Sequence, residues 1–210
     1  MYFNEKTAAS IIGKMLKAKQ IKGRECLQYT WIDEKGRQCS CDGYRAYRLY
    51  TPVAGLPDIP AGLAIDLNRI FPDDACALAE LETPAVDFVQ ALIKDDAAHK
   101  THTKKGVDYY DDGDTRRGLY TFGKDLPAVN IKYLFDILRV FPDAKIYSHV
   151  RTYQGKKLIP NLYVVSEYGD ALLMPVKHDG DSEKRPTPQP AKKAAAPAFS
   201  LAQFAARYAA

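Results

Sequence analysis

Long apolar runs are missing from this chain of 210 residues, and none approaches the roughly 18 consecutive apolar residues that a membrane-spanning helix needs. The first residues, MYFNEKTAAS, carry Glu5 and Lys6 where a signal peptide requires its apolar core, so a cytoplasmic protein with no membrane partner is expected. Cysteine is scarce: Cys26, Cys39, Cys41 and Cys76 include one C-x-C pair but no second C-x-x-C and no Cys/His set at zinc spacing. The thiols therefore read as buried strand residues, and no metal is expected. His99 and His102, in the polar stretch DDAAHKTHTKKG, read as a solvated pair at a helix end or loop. Asp73-Asp74, Asp95-Asp96 and Asp111-Asp112 fall in loop-like sequence, where adjacency along the chain does not aim two carboxylates at one substrate atom. DYYDDGD, residues 108 to 114, reads as a solvated acidic turn, because a hard cation takes six or more oxygens from a set spacing. There is no Walker loop, no glycine-rich phosphate cradle and no nucleophile elbow. No catalytic residue and no cofactor are expected, and a small metal-dependent nucleic-acid enzyme remains only as the third alternative.

What is present is the composition of a globular protein, 46% hydrophobic and 27% charged. The formal charge of +4 arises from 30 basic and 26 acidic side chains, so bulk charge does not bring the chain to a nucleic acid and a clustered basic face would be needed. Residues 5 to 19, EKTAASIIGKMLKAK, supply one: Ala8, Ile11, Ile12, Met15 and Leu16 fall on one helical stripe, with Lys6, Lys14, Lys17 and Lys19 largely off it. Strand-rich sequence follows around the turn DEKG, predicting a hairpin of about residues 25 to 33 and 37 to 41 and a further strand after Asp42-Gly43.

DIPAGLAIDLNRIFPDDA, from residue 58, is echoed by DLPAVNIKYLFDILRVFPDAK, from residue 125. An echo at this separation predicts one supersecondary unit used twice, with a short strand leading into a helix that stops at Phe-Pro-Asp. A helix is also predicted over residues 83 to 95, with Thr83 as N-cap and Pro84 at the first helical position, and closing strands over 144 to 152, 159 to 166 and 170 to 176. After Lys177 the composition turns to Pro, Ala and charge, which reads as a flexible linker over 178 to 198. It ends in FSLAQFAARYAA, expected as a short C-terminal helix over 199 to 210.

Three stretches, which fall in the family's chain order, resemble the bacterial sliding clamp, the beta subunit of the replicative DNA polymerase. VNIKYLFDILRVF, residues 129 to 141, is similar to the helix of the clamp's last domain; YGDALLMPVK, 168 to 177, is similar to its C-terminal ending; CSCDGYRAYRL, 39 to 49, is similar to the Thr-Asp-Gly-His-Arg-Leu segment of its middle domain. The resemblance implies a roughly half-size, α+β, DNA-clamp-like chain of repeated β-α-β units, 1 to 78 and 79 to 177, with outer antiparallel sheets and helices on one side. It further implies a non-enzymatic replication accessory protein that holds duplex DNA without sequence preference, forms a homo-oligomer, and captures peptides of replication or repair proteins. The alternative is an interaction module that recruits or sequesters such proteins without DNA.

Phosphate contacts would come from Lys6, Lys14, Lys17, Lys19, Arg69, Lys94, Lys132 and Arg139, against the competing reading that each is an ordinary solvated charge, which is weakest for the four lysines of the first helix together. Carried over by position, the peptide pocket would have Cys41, Asp42, Gly43, Tyr44, Arg45 and Ala46 on one wall and Leu173, Met174, Pro175 and Val176 on the other. Tyr44 stands where the family has His, and Ala46 where it has Leu. A plain hairpin whose tyrosines cover the sheet is the competing reading of the first wall. The tail carries Phe199, Leu201, Gln203 and Phe204, a composition like that of captured peptides though not in the usual Gln-first order; one reading has it plug the pocket or link subunits, and the competing reading is a helix that packs on nothing or serves another partner.

Overall fold

In the computed structural model, residues 2–18, 23–60, 62–72, 78–104, 107–114, 116–123, 126–149, 152–153, 156–157 and 160–176 are described. Lys19, Asp73, Asp74, Cys76, the linker and the tail lie outside them.

The apolar stripe of the first helix does what its spacing predicts. Helix α1 (Glu5–Leu16) buries Ala8, Ile11, Ile12, Met15 and Leu16, and Asn4 caps it by accepting a hydrogen bond from Thr7 N at 2.9 Å. The strands are β1 (Trp31–Ile32), β2 (Gln38–Cys41), β3 (Arg45–Leu49), β4 (Leu78–Leu81), β5 (Lys100–Lys104), β6 (Val107–Tyr110), β7 (Leu119–Thr121), β8 (Ala128–Asn130), β9 (Lys145–His149), β10 (Thr152–Tyr153), β11 (Lys156–Lys157), β12 (Asn161–Ser166) and β13 (Gly169–Leu173). The two further helices among the described residues are α2 (Val86–His99) and α3 (Ile131–Val140).

Among the described residues, seven strands form one antiparallel sheet in the order β1-β2-β3-β13-β12-β9-β4, and three two-stranded ribbons, β5-β6, β7-β8 and β10-β11, stand apart from it. The fold is thus mixed α+β around one large antiparallel sheet. Strands on both sides of the boundary expected after residue 78 belong to that sheet, joined where β3 pairs with β13.

The central strands β2, β3, β12 and β13 are buried on both faces. On one face the three helices enclose a core with Tyr47, Leu49, Ile146, Leu162, Val164, Ala171 and Leu173 of the strands. On the other face Leu27, Leu67 and Phe71 of two covering segments pack on Trp31, Cys39, Cys41, Tyr147, Tyr163 and Leu172. Strands buried on both sides lose the apolar-polar alternation of a half-exposed sheet.

Several sequence expectations change here. The two echo copies differ in structure. Residues 128–140 form strand β8 and helix α3, whereas the described residues of the earlier copy contain an isolated bridge at Asp58 and a single 3-10 turn at Leu67–Arg69. Both copies keep the local signals: Asp66 caps Asn68 N, Asn130 caps Lys132 N, and each segment stops at Phe-Pro. Cap and phenylalanine are 71 − 66 = 5 positions apart in the first copy and 141 − 130 = 11 in the second, so the first has room for only one turn. The strand expected over 25 to 33 shrinks to Trp31–Ile32, because Glu25–Leu27 form a 3-10 turn and Thr30 N donates to Pro57 O at 2.7 Å. Helix α2 begins after Ala85, which makes no side-chain cap, so Thr83 is not its N-cap; burial of Val89 in the helix-side core fixes the helix instead.

Candidate partner-binding edge and basic helical face

The stretch CDGYRAYRLY is a turn feeding a strand, and Asp42 builds the turn. Its carboxylate, fully buried, accepts from Tyr44 N and Arg45 N, both at 2.8 Å, while Asp42 N donates to Arg45 O at 3.1 Å. Gly43 sits at φ 85, the left-handed region that glycine enters without a Cβ penalty. The turn thereby lifts Tyr44 out of the sheet, 49% exposed, while Arg45 turns inward and is 6% exposed.

Arg45 is a brace. Its Nε donates to Asp42 Oδ2 at 3.3 Å, one terminal nitrogen donates to Asp136 Oδ2 of α3 at 2.7 Å, and the guanidinium lies 4.4 Å from the Tyr133 ring centroid. Burial pulls its pKa down, but the Tyr47 phenol and the carboxylates of Asp136 and Asp42 outweigh that, leaving it above its ordinary value. Burial likewise pushes the Tyr47 phenol up. Turn, strand and helix are locked into one unit.

The second wall lies against the first. Strand β13 pairs with β3 so that Leu173 faces Arg45, after which Met174 N donates to Tyr44 O at 2.8 Å and Val176 N to Ala128 O at 2.8 Å. The chain thus brings residues 41–46 and 173–176 to one end of the central strands. Not all of the predicted wall faces outward. Cys41 and Ala46 are buried in the core beneath the covering segments, Leu173 is buried under the helices, and Asp42 and Arg45 are buried in the turn. Tyr44, Met174 and Val176 are the exposed apolar members, with Gly43 exposed and Pro175 half-buried beside them. Half-buried Tyr133 joins them from α3, its ring 6.2 Å from that of Tyr44. Tyr133 and Asp136 went unpredicted. They are three apart on α3 and thus share a face, and the only sequence clue was that an arginine inside a strand needs an acid from elsewhere.

The predicted phosphate contacts divide. Lys6, Lys14 and Lys17 of α1, Lys94 of α2, and Lys132 and Arg139 of α3 are all exposed on the helical layer. Arg69 is not part of that face: it pairs with Asp66 in the segment covering the opposite side of the sheet. Lys19 lies outside the described residues.

A second buried arginine also escaped prediction. Arg48 grips Asp170 of β13 with two donors, one at 2.7 Å, lies 3.7 Å from the Phe71 ring centroid, and shares Asp170 with Tyr163 OH at 3.0 Å. Arg48 holds the 66–71 segment on the sheet. The acidic turn at 108 to 114 is also structural: Arg117 donates to Asp112 at 2.7 Å and to Asp95 of α2 at 2.8 Å, and Gly118 N donates to Asp96 at 2.8 Å. Among the described residues, no helix is long and apolar enough to cross a membrane, and no group of three or more His, Cys, Asp or Glu is placed to hold a metal ion. Comparison with family models, with curated proteins and with solved structures returns no match.

Proposed function

We propose that this protein is a clamp-like, non-enzymatic accessory factor of DNA replication, which lays its helical layer along the phosphates of duplex DNA and captures partner peptides at the Tyr44–Met174 edge. The observation that carries the DNA reading is the gathering of exposed cations on one layer. The outer sides of α1 and α3 carry Lys6, Lys14, Lys17, Lys132 and Arg139 against one exposed acid, Glu5, while the acid of α3, Asp136, is taken up by Arg45. Lysines and arginines on helices neutralise phosphates without reading bases, which suits a factor that moves along DNA. A ring or arc would then require several copies of the chain.

Titration of a blunt duplex at several salt concentrations tests this. Five phosphate contacts give a slope of log K against log salt of about −4.5, and Lys14→Glu with Lys17→Glu reduces it to about −2.7. Both lysines lie off the buried stripe of α1, so the fold is not at stake. Equal slopes for the two proteins would refute the DNA reading.

A second reading, recruitment of replication proteins without DNA, is favoured by a different observation: Tyr44, Met174 and Val176 form an apolar edge, 49%, 37% and 37% exposed, beside Tyr133. An aromatic anchor next to a deformable methionine is a common way of holding short peptides. Binding of a Gln-and-apolar clamp-type peptide that is lost in Tyr44→Ala, alongside an absence of duplex binding, would select this reading.

A further inference from the structure

No described side chain of the β5–β6 ribbon joins either core, yet the ribbon is firmly built. All five residues of β5, KTHTK, are exposed. An isolated two-stranded hairpin is marginally stable in water, so one that is held in place needs a mount. Here the mount is at the base of the ribbon. Asp111 N donates to His99 O at 3.0 Å, and Arg117 ties Asp112 to Asp95 and Asp96 of α2. The Arg117 guanidinium also lies 5.9 Å from the Tyr110 ring centroid.

The register then divides the ribbon into two different sides. His102 pairs with Tyr109 and Thr103 with Asp108, but Lys100 pairs with Tyr110, so the strand carries a bulge at Thr101. The bulge places Lys100 on the same side as Thr103, Asp108 and Tyr110. On that side Asp108 and Tyr110 are half-buried: Lys100 and Thr103 both bond Asp108 at 2.7 Å and hold its carboxyl below the ordinary range, with the charge of Lys132 on α3 adding to the effect. The opposite side presents His102, Lys104 and Tyr109. The imidazole and phenol rings stack in parallel, with centroids 4.7 Å apart and 1° between planes, and Tyr109 stays 44% exposed. Thr101 fixes the pair, since its hydroxyl donates to Tyr109 O at 3.1 Å and lies 3.0 Å from His102 Nδ1.

A flat, fixed pair of rings with a lysine next to it, facing solvent and contributing to no core, fits unpaired bases and their phosphates. Aromatic faces stack any base, but only one that is out of a duplex. We infer that the outer side of the β5–β6 ribbon is a single-stranded nucleic-acid contact, with His102 and Tyr109 stacking a base and Lys104 meeting its phosphate. The inference rests on the DNA reading only in setting the ribbon beside a bound duplex, where it would take the unpaired strand that adjoins it.

The test uses fluorescence anisotropy with three probes: a blunt duplex, the same duplex with an oligothymidine overhang, and oligothymidine alone. The wild-type chain should bind the overhang probe about five-fold or more tighter than the blunt one, the scale that alanine substitution at one stacked base reveals. Tyr109→Ala and His102→Ala should remove that gain and leave blunt-duplex affinity unchanged, and Tyr109→Phe should keep it. Equal binding of blunt and overhang probes by the wild type, or a gain retained in Tyr109→Ala, overturns the ribbon contact and leaves the duplex reading standing. Tyr109-dependent binding of oligothymidine with none to the duplex refutes the helical-face reading and keeps the ribbon contact. No binding to any probe refutes both.

Discussion

Replacing Arg45 by Met should be the most informative single change at the edge, because it removes the one side chain that ties turn, strand and α3 together. The guanidinium is 6% exposed and bonds a fully buried carboxylate, Asp42, and a partly exposed one, Asp136, whose side chain is 29% accessible. Removing one partner of a buried pair costs about 3 to 5 kcal/mol when the other charge is left stranded. Two features lower that figure here. Asp42 keeps its bonds from Tyr44 N and Arg45 N, and Asp136 can turn to water. Methionine also replaces much of the buried stem. A loss of about 2 to 3 kcal/mol is the expected outcome, read from urea unfolding followed by far-UV circular dichroism. Asp136→Asn should cost only about 1 kcal/mol, since its partner keeps Asp42 and its own side faces solvent. The double variant should then cost less than the two singles together, by about 1 kcal/mol or more. If the two effects simply add, the brace between turn and helix is refuted. A loss below about 0.5 kcal/mol for Arg45→Met would refute its energetic importance altogether.

Three further outcomes follow from the same structure. Burial pushes the thiols of Cys39 and Cys41 up to about 12 and about 11, so both should stay unalkylated by iodoacetamide at pH 8 in the native protein and react on unfolding; peptide mass mapping reads this, and prompt native labelling of either would contradict their burial. Arg117 and the bond from Asp114 N hold Asp112 down at about 2 against an ordinary 3.8, so its anchoring of the ribbon is complete above pH 3.8 and is lost as the pH falls toward 2. A near-UV dichroism change in that window, absent in Asp112→Asn, is expected, and an identical transition in both proteins would exclude Asp112 as its source. Gly169→Ala should cost about 3 kcal/mol or more, since the new Cβ would stand 2.3 Å from Arg48 O on the neighbouring strand, whereas at Gly36 it meets nothing within 4 Å and only the left-handed backbone cost of about 1 kcal/mol applies; equal urea midpoints for the two variants would refute the crowding argument.

Much of the fold was legible wherever one periodicity decided it. The stripe of α1 is buried residue for residue, and the closing strands predicted over 144 to 152, 159 to 166 and 170 to 176 correspond to β9, β12 and β13. The echo misled because matching ends hide a difference in length: cap and Phe-Pro stop are common to both copies, but six intervening residues are missing from the first, and a helix of one turn cannot stand as the partner of α3. The partners of the two buried arginines were illegible for a plainer reason. Arg45 and Asp136 are 91 positions apart, and Arg48 and Asp170 are 122 apart, so no local pattern announces either pair.

Those two arginines also decide what the stretch CDGYRAYRLY is for. In a strand with one exposed face, Arg45 and Arg48 would both read as surface residues and the tyrosines as a covering layer. In β3, side chains alternate between two buried faces: Arg45, Tyr47 and Leu49 point to the helices, and Ala46 and Arg48 to the covering segments. Three positions separate the arginines, so they emerge on opposite faces. One fastens α3, and the other fastens the 66–71 segment through Asp170, Asn68 and Phe71. Within the strand itself, therefore, no side chain is left over for a partner. Binding at this end of the sheet has to use residues just beyond the strand ends, where Tyr44 leaves the turn and Met174 leaves β13, and because both stand on a braced frame, a partner would meet them already in position.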